Sequence, residues 1–258
     1  MENDLCHPYF FLNIQLTINK HPKIIVSIVC YNSDNSTKET LSKIPIERSY
    51  DILIINDGSI DKTKEYIKES AFKSIHHEVN KGLGAAIKTG IKYALDNGYE
   101  VFVIMAGNNK DDPREIPRLV KPIIEDDIDY IQGSRFLEGG RFENPPFFRH
   151  ILVKLYVLLF KLMTGFKGTD AINGFRAYKL DILKDQRINI WQDWLDGYGY
   201  ETYLYYKVLK LGYKIKEVPV SKTYPENKKN VKYSHIKPFI SWWDIVKPLF
   251  YLKLGIKQ

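Results

Sequence analysis

Cysteine is almost absent from this 258-residue chain: Cys6 and Cys30 are the only two, and their spacing matches neither a metal-ligand set nor a redox pair. Disulfides are not expected, and a reducing compartment is the simple reading. Missing too is any apolar run of the roughly 18 residues that a membrane-spanning helix requires. Glu2 and Asp4 stand where a secretory leader would carry basic residues, so no such leader is expected. There is no low-complexity tract and no internal repeat. One ordinary core with appendages is therefore the expected organisation.

What is present in excess is aromatic and basic. Aromatics make up 14% of the chain, led by 18 Tyr and 13 Phe, and such side chains need a place in a core or an interface. The net charge is +7, unevenly spread. From Lys207 onward, 12 lysines against Glu217, Glu226 and Asp244 give +9, which leaves about −2 for the rest. A basic C-terminal fifth either meets an anionic partner or forms a solvated lysine-rich surface.

Residues 1–22 have no clear period and read as an N-terminal extension. A regular alternation follows. Ile24 to Tyr31 is a β-branched run ending in polar residues, which predicts a buried strand and a helix-capping loop. Further strands are predicted over Tyr50 to Ile55, Ser74 to Val79 and Val101 to Met105, with helices to about Ile44, over Asp61 to Ser70 and over Gly82 to Asn97. Later, strands at Asp129 to Gly133, Gly174 to Lys179 and Lys214 to Val220 alternate with helices at Phe148 to Thr164 and Tyr200 to Leu211. The fold class is therefore α/β: a mostly parallel central sheet flanked by helices. Ligands of such sheets bind beyond the carboxyl ends of the strands, and here those ends are polar.

Two loops stand out on chemistry. Asp57, Gly58, Ser59 and Asp61 follow a buried strand, where a carboxylate can accept from a base or a ribose; a plain Asp-Gly turn is the alternative. Asn80, Lys81 and Gly82, with Gly84, Ala85 and Ala86, open a helix, where small residues either leave free amides for an anion or serve packing alone.

The ordered set is more specific than its parts. A strand ending at Tyr31 and Asn32, then Asp57, Gly58 and Ser59, then Asn80, Gly82 and Ala86, then Met105 to Pro113, resembles the family 2 glycosyltransferases of GT-A fold. Gly133, Ser134, Arg135 and Phe136, then Gly139, Gly140 and Arg149, then Asp170, Asn173, Gly174, Phe175 and Arg176, then Glu217 to Val220, are similar to the dolichyl-phosphate mannose or glucose synthase branch. The resemblance covers about residues 24–225. It implies a GT-A domain over 23–225, followed by a basic aromatic segment, 226–258, and a sugar transfer, with inversion, from a UDP- or GDP-sugar to a polyprenyl or dolichyl phosphate or a glycan.

It also implies roles. Tyr31, Asn32, Asp57, Gly58, Lys81, Gly82, Gly107 and Asn108 would hold the nucleotide sugar. Arg149, Arg176 and Glu201 would meet the acceptor or its phosphate, and Asp170, Arg135 and Lys110 would serve catalysis. The chain departs from the family at the metal site. Mg²⁺ or Mn²⁺ needs hard oxygen ligands across a sugar diphosphate, yet Ala106 and Asn108 stand where the two aspartates belong. Either Asn108 with Asp111 or Asp112 keeps a weakened metal site, or Lys110 supplies the charge itself and the metal requirement is reduced. Val29 and Ser33 replace the usual proline and glutamate around Tyr31, which leaves the base open.

Trp191 to Glu201 is either a sugar-stacking stretch or a packed loop. Ile151 to Met163 and Pro238 to Lys257 carry aromatics with flanking lysines, the profile of helices on anionic lipid, of core packing or of a dimer interface. The chain is expected at the cytosolic face of a membrane, with no nucleic-acid partner. A non-enzymatic binder of nucleotide sugars or nucleic acid and a nucleotidyltransferase are the rival readings.

Overall fold

The computed structural model describes residues 21–226 and 240–258. Most of the N-terminal extension, and the stretch 227–239 within the basic segment, lie outside the described residues. Seven strands form one sheet: β1 (Ile24–Cys30), β2 (Asp51–Asn56), β3 (Lys73–His76), β4 (Val101–Ala106), β5 (Tyr130–Ser134), β7 (Arg176–Lys179) and β8 (Ile215–Pro219). Their order is β3-β2-β1-β4-β7-β5-β8, parallel except for β7, which runs antiparallel to both of its neighbours. Two short strands, β6 (Arg141–Glu143) and β9 (Ser221–Thr223), pair separately.

The near-continuous apolar runs of β1, β2 and β4 follow from burial on both faces. Successive side chains alternate between two cores. Val26, Ile28, Ile54, Val103 and Met105 face α1 (Asp34–Ser42), α2 (Thr63–Glu69) and α4 (Ile116–Glu125). Ile25, Leu53, Ile55, Phe102 and Ile104 face α3 (Leu83–Asp96), α5 (Phe147–Thr164), α6 (Gly199–Lys210) and α7 (Ile240–Lys253). The excess tyrosine is largely here. Tyr205 stacks on Tyr130 at 5.1 Å and on Phe160 at 5.2 Å, and Tyr130 stacks on Tyr178 at 5.7 Å.

Three details differ from the sequence pattern. β3 ends at His76 instead of Val79: the His77 amide still bonds the Asn56 carbonyl at 2.9 Å, and its ring bonds Asp57. The proline-rich stretch after residue 113, to which no element was assigned, contains α4. Pro117 occupies its first turn, where a missing N–H costs nothing, while Ile116, Leu119, Val120 and Ile123 fill the core. The aromatic stretch at 191–201 is a packed loop: Trp194 lies edge-on to Tyr203 and Tyr251, and Asp196 takes the ammonium of the buried Lys88 at 2.6 Å.

After β3 the chain returns past β1 to form β4. Strand order thus reverses between β1 and β4, which opens a crevice at their carboxyl ends.

Candidate active site

The rim of that crevice is built by cross-bonding its loops. Asn32, at φ 43°, donates its amide to Ser59 Oγ at 3.0 Å, and its side-chain oxygen accepts from Ile60 at 2.9 Å. Thr63 Oγ1 accepts from the amides of Ser33 and Asp34, at 2.9 and 2.8 Å. Two non-glycine residues in left-handed conformation, Asn32 and Asp34, persist here because these bonds over-determine them. Tyr31 sits half-buried at the same edge.

Asp57 is corrected from its expected role. It is 2% exposed, and its carboxylate is filled from inside the protein. Oδ1 accepts from His77 Nδ1 at 2.7 Å and from the Lys81 amide at 2.9 Å; Oδ2 accepts from Asn80 Nδ2 at 2.9 Å and from the Gly82 amide at 3.0 Å. These four bonds turn the carboxylate toward the protein. Asp57 instead fixes the 80–82 loop, with the Lys81 side chain exposed on it. The start of α3 is likewise closed to an anion, since Gly84 and Ala85 donate to the carbonyls of Gly197 and Asp196 at 3.1 and 3.0 Å.

Gly58 is required where these loops cross. Its φ is +70°, and a Cβ there would lie 2.2 Å from the Val79 carbonyl carbon. Gly58→Ala is expected to lower stability by about 1–3 kcal/mol, through overpacking and backbone strain together. Thermal unfolding checks it: an unchanged midpoint would reject this role.

Beyond β4 the backbone hugs β1. A Cβ on Gly107 would stand 2.2 Å from Cys30 Sγ, and the Gly107 carbonyl accepts from Thr37 Oγ1 at 3.0 Å. Asp112, expected as a metal ligand, is corrected: it caps the turn at Pro113–Glu115 and grips Arg114 with both oxygens, at 2.9 and 2.7 Å. Hydrogen bonds from Arg114 hold its carboxyl below the usual range. Asp111 points inward instead, with Oδ1 2.7 Å from Lys222 Nζ. Two buried oxygens, Asp111 Oδ2 and Asn108 Oδ1, have no hydrogen-bond partner. Among the described residues no group of three His, Cys, Asp or Glu side chains could hold a metal ion. Ala106 and Asn108 thus leave the two expected ligand positions without a carboxylate.

Cations collect here instead. Lys110 Nζ lies 5.0 Å from the Tyr224 ring centre, and Arg149 donates to Tyr224 Oη at 3.3 Å. Lys222 also reaches Asn173 Oδ1 at 3.3 Å. Burial, then the charges of Lys222 and Arg149, push the Lys110 ammonium down to about 7, against the pull of Asp111. Glu201 borders the same floor: a Cβ on Gly174 would meet its Oε1 at 2.7 Å. Burial raises the Glu201 carboxyl, while Arg176 and Lys222 oppose that.

Lys222 and Tyr224 were not foreseen. The only signal was the short polar run of Ser221, Lys222 and Thr223 between Val220 and Tyr224, which forms β9. Buried Glu115 anchors that strand by accepting from the Ser221 amide at 2.7 Å.

The other expected catalytic and acceptor residues fall inside the core. Arg135 and Asp170 form a two-bond pair, at 2.7 and 2.9 Å, with side chains 4% and 0% exposed. Burial would raise the Asp170 carboxyl, but Arg135 and backbone amides hold it below the usual range. It is thus corrected from candidate base to structural anion. Arg176 is corrected in the same way: 1% exposed, it donates to Asn173 O, Tyr130 Oη and Glu201 O at 2.7, 2.9 and 2.9 Å. Neither side chain can reach a phosphate. Of the residues expected at the site, the structure brings Lys110, Arg149, Glu201 and Asn108 together at the crevice.

A mostly parallel sheet with this switch point and a cation-lined rim is the architecture of a GT-A transferase. Glucosyl-3-phosphoglycerate synthase of Mycobacterium tuberculosis, solved with Mn²⁺, UDP and phosphoglyceric acid, has the same fold: TM-score 0.65 at 15% identity, covering 88% of this chain and 78% of that one. The sequence model of glycosyl transferase family 2 matches residues 25–187, and the chain belongs to that family. It is 29% identical over 206 residues to the undecaprenyl-phosphate mannosyltransferase of Micrococcus luteus, covering 77% of this chain and 83% of that protein. It is 28% identical over 224 residues to the UDP-N-acetylglucosamine–dolichyl-phosphate N-acetylglucosaminyltransferase of Methanococcus voltae, covering 79% and 86%.

Proposed function

We propose that this glycosyltransferase moves a sugar from a nucleoside diphosphate sugar to the phosphate of a polyprenyl-type lipid at a membrane surface. The observation that carries this is the cation cluster at the β1/β4 crevice: Lys110 and Arg149 both lie on Tyr224, and Lys222, paired with Asp111, is close enough for its charge to act on Lys110. In the step, an oxygen of the acceptor phosphate forms a bond to the anomeric carbon. The bond from that carbon to the diphosphate oxygen breaks, its electron pair leaves with the nucleoside diphosphate, and the carbon inverts.

An acceptor that is already a phosphate anion needs little deprotonation, which agrees with Asp170 being locked away. The chemistry then rests on charge placed where the leaving diphosphate gains it. Lys110 serves that charge, and the metal requirement is reduced accordingly. Tyr31, Asn32 and the Lys81 loop line the side where the nucleoside would lie.

The surface supports a lipid acceptor. Phe147, Phe148, Ile151, Leu155, Leu158 and Leu162 form an exposed stripe along α5, from 40% exposure at Ile151 to 82% at Phe147, with exposed Lys154 beside it. Exposed Trp243 and Phe250 stack on α7, near Lys253. No helix among the described residues is long and apolar enough to cross a membrane, so contact would be interfacial.

Incubation with labelled UDP- and GDP-sugars and a polyprenyl phosphate tests the reaction. The expected product is a lipid-linked sugar; hydrolysis alone, or no turnover with any donor, would reject the proposal. Flotation with acidic vesicles tests the surface. The protein is expected to float, and a Leu155→Glu/Leu162→Glu variant to remain in the dense fraction with an unchanged unfolding midpoint. Equal flotation of both would remove α5 from the membrane contact.

A further inference from the structure

We infer that Lys222 is a resident counter-cation of this active site, holding through its ion pair with Asp111 the ground that a divalent metal would otherwise occupy. This rests on the transferase reading above and deepens it. The pair is enclosed: the side chains of Lys222 and Asp111 are 13% and 0% exposed, and Nζ lies 2.7 Å from Oδ1. The backbone enforces it, since Asp111 and Lys222 form a β-bridge and the Thr223 amide donates to the Lys110 carbonyl at 2.9 Å. Lys222 is therefore delivered to the β4 loop by main-chain pairing and does not depend on a chance rotamer of a long side chain.

What remains of an oxygen-lined cation site is meagre. Asn108 Oδ1 and Asp111 Oδ2 are buried and unpartnered, but one is neutral and the other belongs to a carboxylate already neutralised. Mg²⁺ takes six oxygens in near-octahedral array, usually through one or two carboxylates and the substrate phosphates. Here it would enter beside the ammonium of Lys222, with Lys110 and Arg149 close by; of the two carboxylates near it, Asp111 is already paired with Lys222 and Glu201 lies against Gly174. A diphosphate meets the opposite situation. It finds point-charge donors already held in place, and lysine is a competent phosphate partner of that kind. Ala106 and Asn108 at the expected aspartate positions, and Lys222 opposite Asp111, then fit together as lysine charge standing in for metal charge.

The experiment uses the full chain, stripped with EDTA, and reads nucleotide affinity by calorimetry with UDP and GDP, Mn²⁺ uptake by its electron paramagnetic resonance signal, and transfer. The wild-type protein is expected to bind its nucleotide within about twofold the same affinity in EDTA and in Mn²⁺, and to leave the free-Mn²⁺ signal unchanged; Lys222→Met is expected to bind about tenfold or more weakly, as loss of a charge-assisted contact implies. That variant, its Asp111 carboxylate released, is expected to take up Mn²⁺ and recover affinity with it. Lys222→Arg, which keeps the charge, is expected to stay metal-independent, and it serves as the test should Lys222→Met not fold. Stoichiometric Mn²⁺ uptake by wild type, or loss of its nucleotide binding in EDTA, would overturn the inference and leave the transferase reading standing. Failure to bind any nucleotide under either condition would overturn both.

Discussion

Asp170→Ala is expected to yield a protein that barely folds, destabilised by about 3–5 kcal/mol, because it strands the Arg135 guanidinium uncompensated in the interior. The pair is enclosed on all sides: Arg135 also lies 4.5 Å from the Phe142 ring centre, and the amides of Ile172 and Asn173 donate to Asp170 at 3.2 Å. A catalytic base would behave otherwise, losing turnover while keeping its melting temperature. Chemical denaturation measures the difference, and a midpoint within error of wild type would reject the structural assignment. The pH dependence has a fixed sign. The Asp170 carboxyl is depressed in the folded state, so its contribution is complete above its unfolded value and is lost as pH falls through the folded one.

Lys110→Met is the counterpart, expected to fold normally and to lose about a hundredfold to a thousandfold in kcat, the range for removing a preorganised charge from a transition state. Steady-state rates beside a melting curve test it; a loss below about tenfold would show the charge to be dispensable. Lys110 is held down to about 7 in the ligand-free protein. Between that value and the ordinary lysine range the unfolded chain binds more protons, so this group makes stability rise with pH. Donor binding responds in the opposite direction. A diphosphate favours the ammonium form, so kcat/KM is expected to decline as pH rises above about 7, and a flat profile through that region would remove Lys110 from the donor site.

Much of the fold was legible. Apolar runs ending in polar residues marked the strands because a sheet covered on both faces must be apolar throughout and must stop where it meets solvent. The order of Asp57, Asn80, Gly82 and the 105–113 stretch supplied the family resemblance. Assigning tasks to side chains from that order was less secure. Asp57, Asp170 and Arg176 read as ligand contacts because the family resemblance implies those roles at their positions. Instead they hold together the loops that form the crevice, through partners up to 47 residues away as well as near neighbours. α4 escaped notice because its three flanking and internal prolines suggest a loop, and only the packing of one apolar face offsets them.

The sequence by itself determined the α/β class, the family, the loss of the aspartates at 106 and 108, and the aromatic, lysine-flanked segment that α5 presents to solvent. These are properties of local pattern and order along the chain, and they survive without coordinates. The tertiary structure alone decided which charges are spent and which are available. Lys222 meets Asp111 across 111 residues of sequence, and Asp170 is sealed beneath Arg135. Whether a charged group binds a ligand or builds the protein depends on its desolvation and on the opposite charge nearest to it, and both are set by folding.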